Sequence, residues 1–325
     1  MKWLHRLALG LGVALLLGLL WKIGPMALLR NLLLLGWVWI PLIVVEGLGE
    51  ACHATAWRHC LSRGHRGLPW AKIAMIRQAG MAFNYLTPTA HLGGELIKGT
   101  LLGREGDTLE AATAVIVGKL ALVLSQLLLV TVASAVALWI ISLPIHLWLA
   151  WALGTSVFFA GIVAFFLVQR HGKLGGVLRL AQRIGLKGRR VSALTRGLSE
   201  VDQALRDFHR ERPGDLLRAL LWHVLGYSGG LIQAWLFLSW GGQEGLWKTG
   251  IVIWALGAWF DLVGFAVPAG VGVQEGSRVL VFHAVGLDSL GGLTFGVVLR
   301  LTKAFWALVG LVCYGTLIGH VRNAP

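Results

Sequence analysis

The sequence predicts an all-α polytopic membrane protein with about six full transmembrane helices and two re-entrant helical hairpins in an inverted repeat. Three observations lead to this prediction. The chain of 325 residues is 56% hydrophobic and only 14% charged, a combination that is rare among soluble domains. Several apolar runs are long enough to cross a bilayer. A polar pattern broken by proline and glycine then recurs once in each half of the chain.

Six apolar runs reach, or nearly reach, the roughly 20 residues that a spanning helix needs. They are Trp3–Trp21, Leu28–Gly49, Ala111–Leu138, Leu147–Val168, Leu216–Trp240 and Gly292–Ile318. Basic residues precede the first run, as in a signal peptide, but no small-residue cleavage site follows it. We therefore expect an uncleaved first helix.

Two further apolar stretches, residues 73–103 and 251–286, contain the repeated pattern. Each copy begins with a proline and a run of small residues, has a glutamate seven positions after the proline, and has a cation three positions after the glutamate. These residues are Pro88, Glu95 and Lys98 in the first copy, and Pro268, Glu275 and Arg278 in the second. Proline with nearby glycines breaks a helix. Each stretch is therefore expected to fold as two half-helices in a re-entrant hairpin.

The distribution of basic residues predicts the topology. The formal net charge of +14 comes from residues that lie largely between the apolar runs, so we expect them to face anionic lipid heads and expect no nucleic-acid partner. The positive-inside rule places both termini and segments 58–77 and 169–215 in the cytoplasm. Because two runs lie between those segments, the first hairpin has to enter and leave on the cytoplasmic side. The same reasoning opens the second hairpin to the outer side.

This topology divides the chain into three parts. Residues 1–168 form the first membrane half, with its hairpin around 73–103, and residues 216–325 form the second, with its hairpin around 251–286. Residues 169–215 form a basic cytoplasmic linker in which apolar and arginine residues alternate at helical spacing, as in an amphipathic helix. The expected location is a bacterial cytoplasmic (inner) membrane.

Charged residues at membrane depth indicate a site. The half-helices after each break present positive dipole ends that attract anions, and each glutamate shares a helix face with the cation three positions on. An internal ion pair is the alternative interpretation. Lys119 and Arg300 follow the two glutamates by 24 and 25 positions. Lys119 is equally consistent with snorkelling to the interface, whereas the depth of Arg300 favours a partner, for which Asp261 is a candidate. Asp261 is equally consistent with keeping the site electrically balanced when it is empty.

A second polar feature lies on the run before the first hairpin. Glu46, Glu50, His53 and Trp57 fall on one helical stripe. Carboxylates and a histidine in line at membrane depth predict a proton relay. A polar stripe near the cytoplasmic boundary is the alternative.

The sequence therefore nominates one set of residues for substrate binding and transport. They are Pro88, Gly93, Gly94, Glu95, Lys98, Lys119, Asp261, Pro268, Gly270, Gly272, Gln274, Glu275, Arg278, Arg300 and Lys303, with Glu46, Glu50 and His53 as the proton relay. No motif of nucleophilic catalysis, nucleotide binding or metal ligation is recognised, so no catalytic residue, metal or cofactor is expected.

The two patterns resemble those of a known family. The resemblance is carried by residues 84–88 (Asn-Tyr-Leu-Thr-Pro), 93–98 (Gly-Gly-Glu-Leu-Ile-Lys) and 268–275 (Pro-Ala-Gly-Val-Gly-Val-Gln-Glu), and by Arg300. On these residues nearly the whole chain resembles the membrane domain of lysylphosphatidylglycerol synthases and their stand-alone flippase-like relatives, some of which accompany hopanoid biosynthesis. The resemblance implies movement of lipids between leaflets. The sequence lacks the soluble aminoacyl-transferring domain of the full synthases, so lipid aminoacylation is not expected.

Three functions stay open at this point. The leading one is a lipid transporter or flippase, not an enzyme, for an anionic phospholipid, a lipid-phosphate or a hopanoid-type lipid. The alternatives are an intramembrane enzyme acting on a lipid phosphate and a membrane scaffold for lipid-biosynthesis enzymes. Membrane lipids are the expected partners, with lipid-biosynthesis enzymes and homo-oligomer formation left open.

Overall fold

The structure, a computed structural model, describes residues 2–87, 93–141, 144–171, 212–242, 246–263 and 270–322. All regular structure in these ranges is helical, which confirms the predicted all-α class. The α-helices of the described residues are α1 (Lys2–Ile23), α2 (Pro25–Leu34), α3 (Trp39–Cys60), α4 (Trp70–Leu86), α5 (Gly93–Gly103), α6 (Thr108–Ile140), α7 (Ile145–His171), α8 (Pro213–Trp240), α9 (Leu246–Val263), α10 (Val273–Ala284) and α11 (Ser289–Arg322). Two 3₁₀ turns, Gly36–Val38 and Arg63–His65, complete the list.

The beginning of the chain differs from the prediction. The predicted span Leu28–Gly49 is divided between α2 and α3 by the first 3₁₀ turn. Gly24, with a φ of 100°, lets the chain turn between α1 and α2, which meet at 84°. Pro25 then starts α2 at a position where its missing N–H would have had no helical partner.

Both predicted hairpins fold as two helices. Residues 87–92 separate α4 from α5, and residues 264–272 separate α9 from α10. The two prolines at the breaks, Pro88 and Pro268, lie outside the described residues. In the first hairpin Asn84 contacts Gly94 near the break, and Lys72 pairs with Glu105 at the far end, so α4 and α5 run antiparallel.

The packing of the helices repeats between the two halves of the chain. The pairs α3–α4, α4–α5, α5–α6 and α4–α11 pack together. The pairs α8–α9, α9–α10, α10–α11 and α9–α6 pack together in the same way. The two sets of contacts coincide when α3, α4, α5 and α6 are taken as equivalent to α8, α9, α10 and α11, in that order. The equivalent helices α3 and α8 also pack along each other.

These equivalent helices run in opposite directions. From one end to the other, the contacts pair His59 with Asp215, His53 with His223, Gly49 with Gly226 and Glu46 with Gln233. Residue numbers fall along α8 as they rise along α3, so the two helices are antiparallel. Within the described residues, the equivalent helices α3 and α8 of the two halves therefore run in opposite directions.

Much of the outer surface is apolar. Trp21, Leu33, Trp139 and Val312 are among the large hydrophobic side chains that face outward, as expected where a bilayer covers the protein. By length and composition, two described helices can cross a membrane, within Thr108–Ile140 and Ser289–Gly319, or three if the bent α1–α2 pair counts as one span. Helix lengths therefore do not establish the predicted six spans.

The polar content of α3 and α8 explains part of this difference. His53 and Glu46 on α3 contact His223 and Gln233 on α8 across the protein interior, and Glu50 on α3 pairs with Arg77 on α4. A helix that buries polar groups against a neighbouring helix is less apolar overall than one that faces lipid on most sides. The predicted linker, residues 169–215, lies mostly outside the described residues, and its amphipathic helix stays a prediction.

Candidate functional site

The first polar cluster lies where α4 and α5 approach most closely. A Cβ on Gly80 would lie 2.7 Å from the carbonyl oxygen of Gly94, and a Cβ on Gly94 would overlap with the backbone of Gly80. Only glycine at both positions allows this approach. Asn84 then accepts a hydrogen bond from the Gly94 N–H at 2.8 Å, which fixes the start of α5.

Glu95 is the centre of this cluster. It forms ion pairs with Lys98 on its own helix and with Lys119 on α6, the latter at 3.3 Å. The Asn84 side-chain amide donates at 3.4 Å to Oε1, the same carboxylate oxygen that Lys119 pairs with. Lys98 is only 9% exposed, and its ammonium lies 5.7 Å from the ring of Trp57 on α3. The predicted link between Glu95 and the cation 24 residues later is therefore present.

The second cluster is built around Glu275, which has no exposed surface. Its carboxylate accepts a hydrogen bond of 2.9 Å from the Gly272 N–H at the start of α10. Arg300 on α11 contacts both carboxylate oxygens, through Nε and through Nη2 at 3.1 Å. Arg300 Nη2 also donates to the carbonyl oxygen of Gly270 at 3.1 Å. Positive φ angles of 59° at Gly270 and 76° at Gly272 allow the turn that aims these groups inward.

The pairing in this cluster corrects the sequence prediction. Asp261, expected as the partner of Arg300, instead binds Arg278 through two hydrogen bonds of 2.7 and 3.2 Å. Arg278 also donates to the carbonyl oxygen of Gly257 at 3.0 Å. Because these acceptors occupy Arg278, Glu275 pairs with Arg300, and the internal pair of Glu275 with Arg278, which was the alternative interpretation, does not form. The packing of α9, α10 and α11 determines which arginine each carboxylate pairs with, and residue spacing along a single helix does not predict these partners.

Tyr85 connects the two halves of the site. It lies one residue after Asn84 on α4, and its hydroxyl donates to the carbonyl oxygen of Arg300 at 3.1 Å. The tip of the first hairpin therefore contacts the helix that carries a cation of the second cluster.

The predicted stripe on α3 runs between the two clusters. Glu46 accepts a hydrogen bond of 3.1 Å from Gln233 and interacts electrostatically with Lys303, which also interacts with Asp261. Glu50 pairs with Arg77 on α4. At the other end Trp57 reaches Lys98. From Glu46 to Trp57 the stripe covers about 16 Å of helix.

A pair of buried histidines lies in the middle of this stripe. His53 Nδ1 and His223 Nδ1 are 2.9 Å apart, and the ring of Tyr227 packs edge-on against His53 at 4.7 Å. One ring must donate and the other accept in such a contact, so the two protonation states are linked. The other ring nitrogen of His223, Nε2, is buried without a hydrogen-bond partner in the described part of the chain.

The structure therefore gathers most of the nominated residues and adds others. Gly93 begins α5, and Gln274 lies in the first turn of α10, one residue before Glu275. Five residues with polar contacts in the site were not nominated: Arg77, Asn84, Tyr85, His223 and Gln233. Arg77 was assigned to a cytoplasmic loop, but it lies within α4 and its side chain is 11% exposed.

A sequence signal for part of this set does exist. Gly80 precedes Asn84 by four positions, as Gly257 precedes Asp261, and both pairs face the cation of the opposing half-helix. The distances from these pairs to the following prolines differ by three residues, which hides the equivalence when the prolines are aligned.

Comparison with known families agrees with this architecture. Residues 3–310 match the family model described as lysylphosphatidylglycerol synthase TM region. Comparisons with curated proteins and with solved structures gave no significant match. Since the family match spans nearly the whole chain and the helices are apolar on their outer faces, this protein is a multi-pass membrane protein that belongs to the lysylphosphatidylglycerol synthase TM region family.

Proposed function

We propose that this protein is a lipid transporter, a flippase, that moves an amphiphile with a charged head between leaflets. The observation that carries the proposal is the pair of carboxylate–cation clusters at the broken helices of two inverted halves. Ionised groups are expensive inside a membrane and are retained where a polar head or an ion has to pass. Membership of a family named for a lipid synthase supports a lipid substrate.

The proposed topology has six spans and two re-entrant hairpins, with both termini in the cytoplasm of a bacterial cell and the hairpins open to opposite sides. Antiparallel α3 and α8 and the exchange of helix contacts support this arrangement. Irregular backbone at membrane depth is tolerated where it lines a polar cavity, which suits the breaks after α4 and α9.

In the proposed path, the lipid head passes between the hairpin tips while its tails stay in the bilayer. Each glutamate pairs with one cation that is partly exposed. The side chain of Lys119, which pairs with Glu95, is 31% exposed, and that of Arg300, which pairs with Glu275, is 18% exposed. They are the groups that first meet an anionic head. Glu95 and Glu275 hold these cations in place when no head is bound.

We also propose that the stripe of Glu46, Glu50 and His53, extended by His223, conducts protons and couples transport to a proton gradient. The linked protonation of the two histidines supports this role. The measurement is transport in proteoliposomes with and without an imposed pH gradient. A relay predicts that the gradient accelerates the wild type and has no effect on His53→Gln; equal acceleration of both excludes it.

The proposed function is tested with proteoliposomes that contain a head-labelled phospholipid and an impermeant quencher. Because Glu275 is fully buried and holds the start of α10, changes there disturb folding, and Lys119→Met is the better test. Wild type and Lys119→Arg should expose inner-leaflet lipid to the quencher, whereas Lys119→Met should be slower by roughly tenfold, about 1.4 kcal/mol. Arg218→Ala, at a side chain that is 65% exposed on α8, is the matched control.

The same experiment separates the alternatives. A wild type that moves no lipid under any condition removes the flippase proposal. Chemical conversion of the labelled lipid without translocation would instead favour an intramembrane enzyme. A protein that neither moves nor converts lipid, but recruits lipid-biosynthesis enzymes, would be a scaffold.

A further inference from the structure

We propose that the cluster around Glu95 has one positive charge in excess, whereas the cluster around Glu275 is neutral. The excess charge binds a group with a single negative charge, either the phosphodiester of a lipid head or a phosphate. The proposal rests on the proposed function and assigns head-group binding to one half of an otherwise repeated site. It is carried by the charges, burial and contacts of the described residues.

The first cluster has one more cation than carboxylates. Its cations are Arg77, Lys98 and Lys119, and its carboxylates are Glu50 and Glu95. Arg77 and Glu50 pair with each other and add no net charge, so the excess charge comes from Lys98 and Lys119 on the one carboxylate of Glu95. Residues 88–92, in the break beside this cluster, contain no Asp, Glu, Lys or Arg and one histidine, His91.

The second cluster is balanced. Its ion-paired cations are Arg278 and Arg300, and their carboxylates are Asp261 and Glu275. Residues 264–269, in the break beside it, contain no charged residue. The second cluster can therefore stay ionised without a ligand, whereas the first carries a positive charge in a poorly solvated place.

The difference arises at one pair of equivalent positions. Asn84 and Asp261 each lie four residues after a glycine that packs against the cation of the opposing half-helix. Asp261 neutralises Arg278 through two hydrogen bonds. Asn84 has nearly the same shape but no charge, and it uses its amide to contact Glu95 and the Gly94 N–H. Lys98 and Lys119 consequently share a single carboxylate, that of Glu95.

The geometry defines the ligand class. A lysine ammonium binds phosphate as a point charge with three donors, and two lysines on one carboxylate leave donors for an oxyanion. Lys98 is nine-tenths buried, so an anion that reaches it must shed much of its water. Lys119 is partly exposed and provides the way in. One excess charge matches a phosphodiester, while a dianion would leave a net negative charge.

The test is native mass spectrometry of the full chain, released from detergent after incubation with phosphatidylglycerol or phosphatidylethanolamine. The variant Asn84→Asp adds the carboxylate that the second cluster already has. Asn84→Ala removes both hydrogen bonds of Asn84, to the Gly94 N–H and to Glu95, without adding charge, and is the control for the added carboxylate. Wild type and Asn84→Ala should retain phosphatidylglycerol in preference to phosphatidylethanolamine, and Asn84→Asp should weaken that retention by roughly tenfold.

Retention of phosphatidylglycerol by Asn84→Asp at the wild-type level overturns the proposal, as does equal loss in Asn84→Ala. Competition with inorganic phosphate identifies the source of the anion: displacement at millimolar concentration assigns the site to free phosphate, and resistance assigns it to the lipid head. The unfolding temperature of each variant shows whether it is folded. If Asn84→Asp misfolds, retention of phosphatidylglycerol is compared between Lys119→Met, which removes one positive charge from the cluster, and Lys119→Arg, which keeps it.

Binding and transport fail in different ways. A wild type that translocates lipid while Asn84→Asp keeps its lipid would leave the transporter proposal in place and remove the charge assignment. Retention that depends on the charge at position 84, without any translocation by the wild type, would keep the charge assignment and remove the transporter proposal.

Discussion

Glu275 shows most clearly how single residues hold this site together. A carboxylate with no exposed surface is stable only if protein groups replace its water, and here a backbone N–H and Arg300 do so. The same contacts set the start of α10 and connect it to α11. At this residue, stability and function depend on the same bonds.

The first prediction concerns the strength of this pair. Arg300→Ala leaves a buried carboxylate without its charged partner, so we expect it to lower the free energy of unfolding by about 3–5 kcal/mol. Glu275→Gln combined with Arg300→Ala should cost less than Arg300→Ala alone, because the uncompensated charge is gone. The measurement is a double-mutant cycle by chemical unfolding in detergent. Additive effects of the two changes would show that the residues do not act as a pair.

Sequence reasoning at this scale was strongest for spacing along the chain and weakest for partners between helices. The spacing of 24 and 25 residues singled out Lys119 and Arg300, and each pairs with the glutamate from which it was counted, while their role in transport stays a prediction. The choice of Asp261 as the partner of Arg300 was wrong, because the register between α9 and α10 decides which cation Asp261 meets. Arg77 was missed because a basic residue close to a basic loop is indistinguishable from one in that loop until the helix is placed.

At the scale of elements, the first hairpin depends on close contact of α4 with α5. The second prediction is that Gly94→Ala disrupts the hairpin, since its Cβ would overlap with the backbone of Gly80. Gly99→Ala on the same helix has open space around it and should be tolerated. Overpacking of this kind costs roughly 1–3 kcal/mol. Thermal unfolding of both variants checks it, and equal unfolding temperatures would exclude a tight α4–α5 contact.

The sequence predicted the breaks in the hairpins because proline and glycine act locally. The divided span at residues 28–49 carried a similar local signal that the prediction did not use. Gly36, with a φ of 49°, lies in the 3₁₀ turn, and Pro41 lies in the first turn of α3. The turn at Gly24 has such a signal as well, since Pro25 follows directly.

At the scale of the whole molecule, the two halves are equivalent in packing and opposite in direction. The third prediction is that the hairpins open to opposite sides of the membrane. In a chain whose three cysteines are replaced by alanine, Arg104→Cys marks the far end of the first hairpin and Ala284→Cys that of the second. Both positions are exposed.

An impermeant maleimide applied to intact spheroplasts should label Ala284→Cys and should label Arg104→Cys only after permeabilisation. Labelling of both from the same side would exclude the inverted topology while leaving the helix packing unaffected. The control is a permeant maleimide, which should label both positions in intact cells.

If one lipid head passes both clusters, variants of either half have to slow translocation, and both are measured in the same assay. In proteoliposomes, Lys119→Met and Arg300→Lys should each slow the movement of labelled phosphatidylglycerol by roughly tenfold, the second because lysine cannot form the bidentate contact with Glu275. The double variant should be about as slow as the slower single variant, as expected for steps on one path. A wild-type rate of translocation in either single variant would show that the lipid head does not pass both clusters.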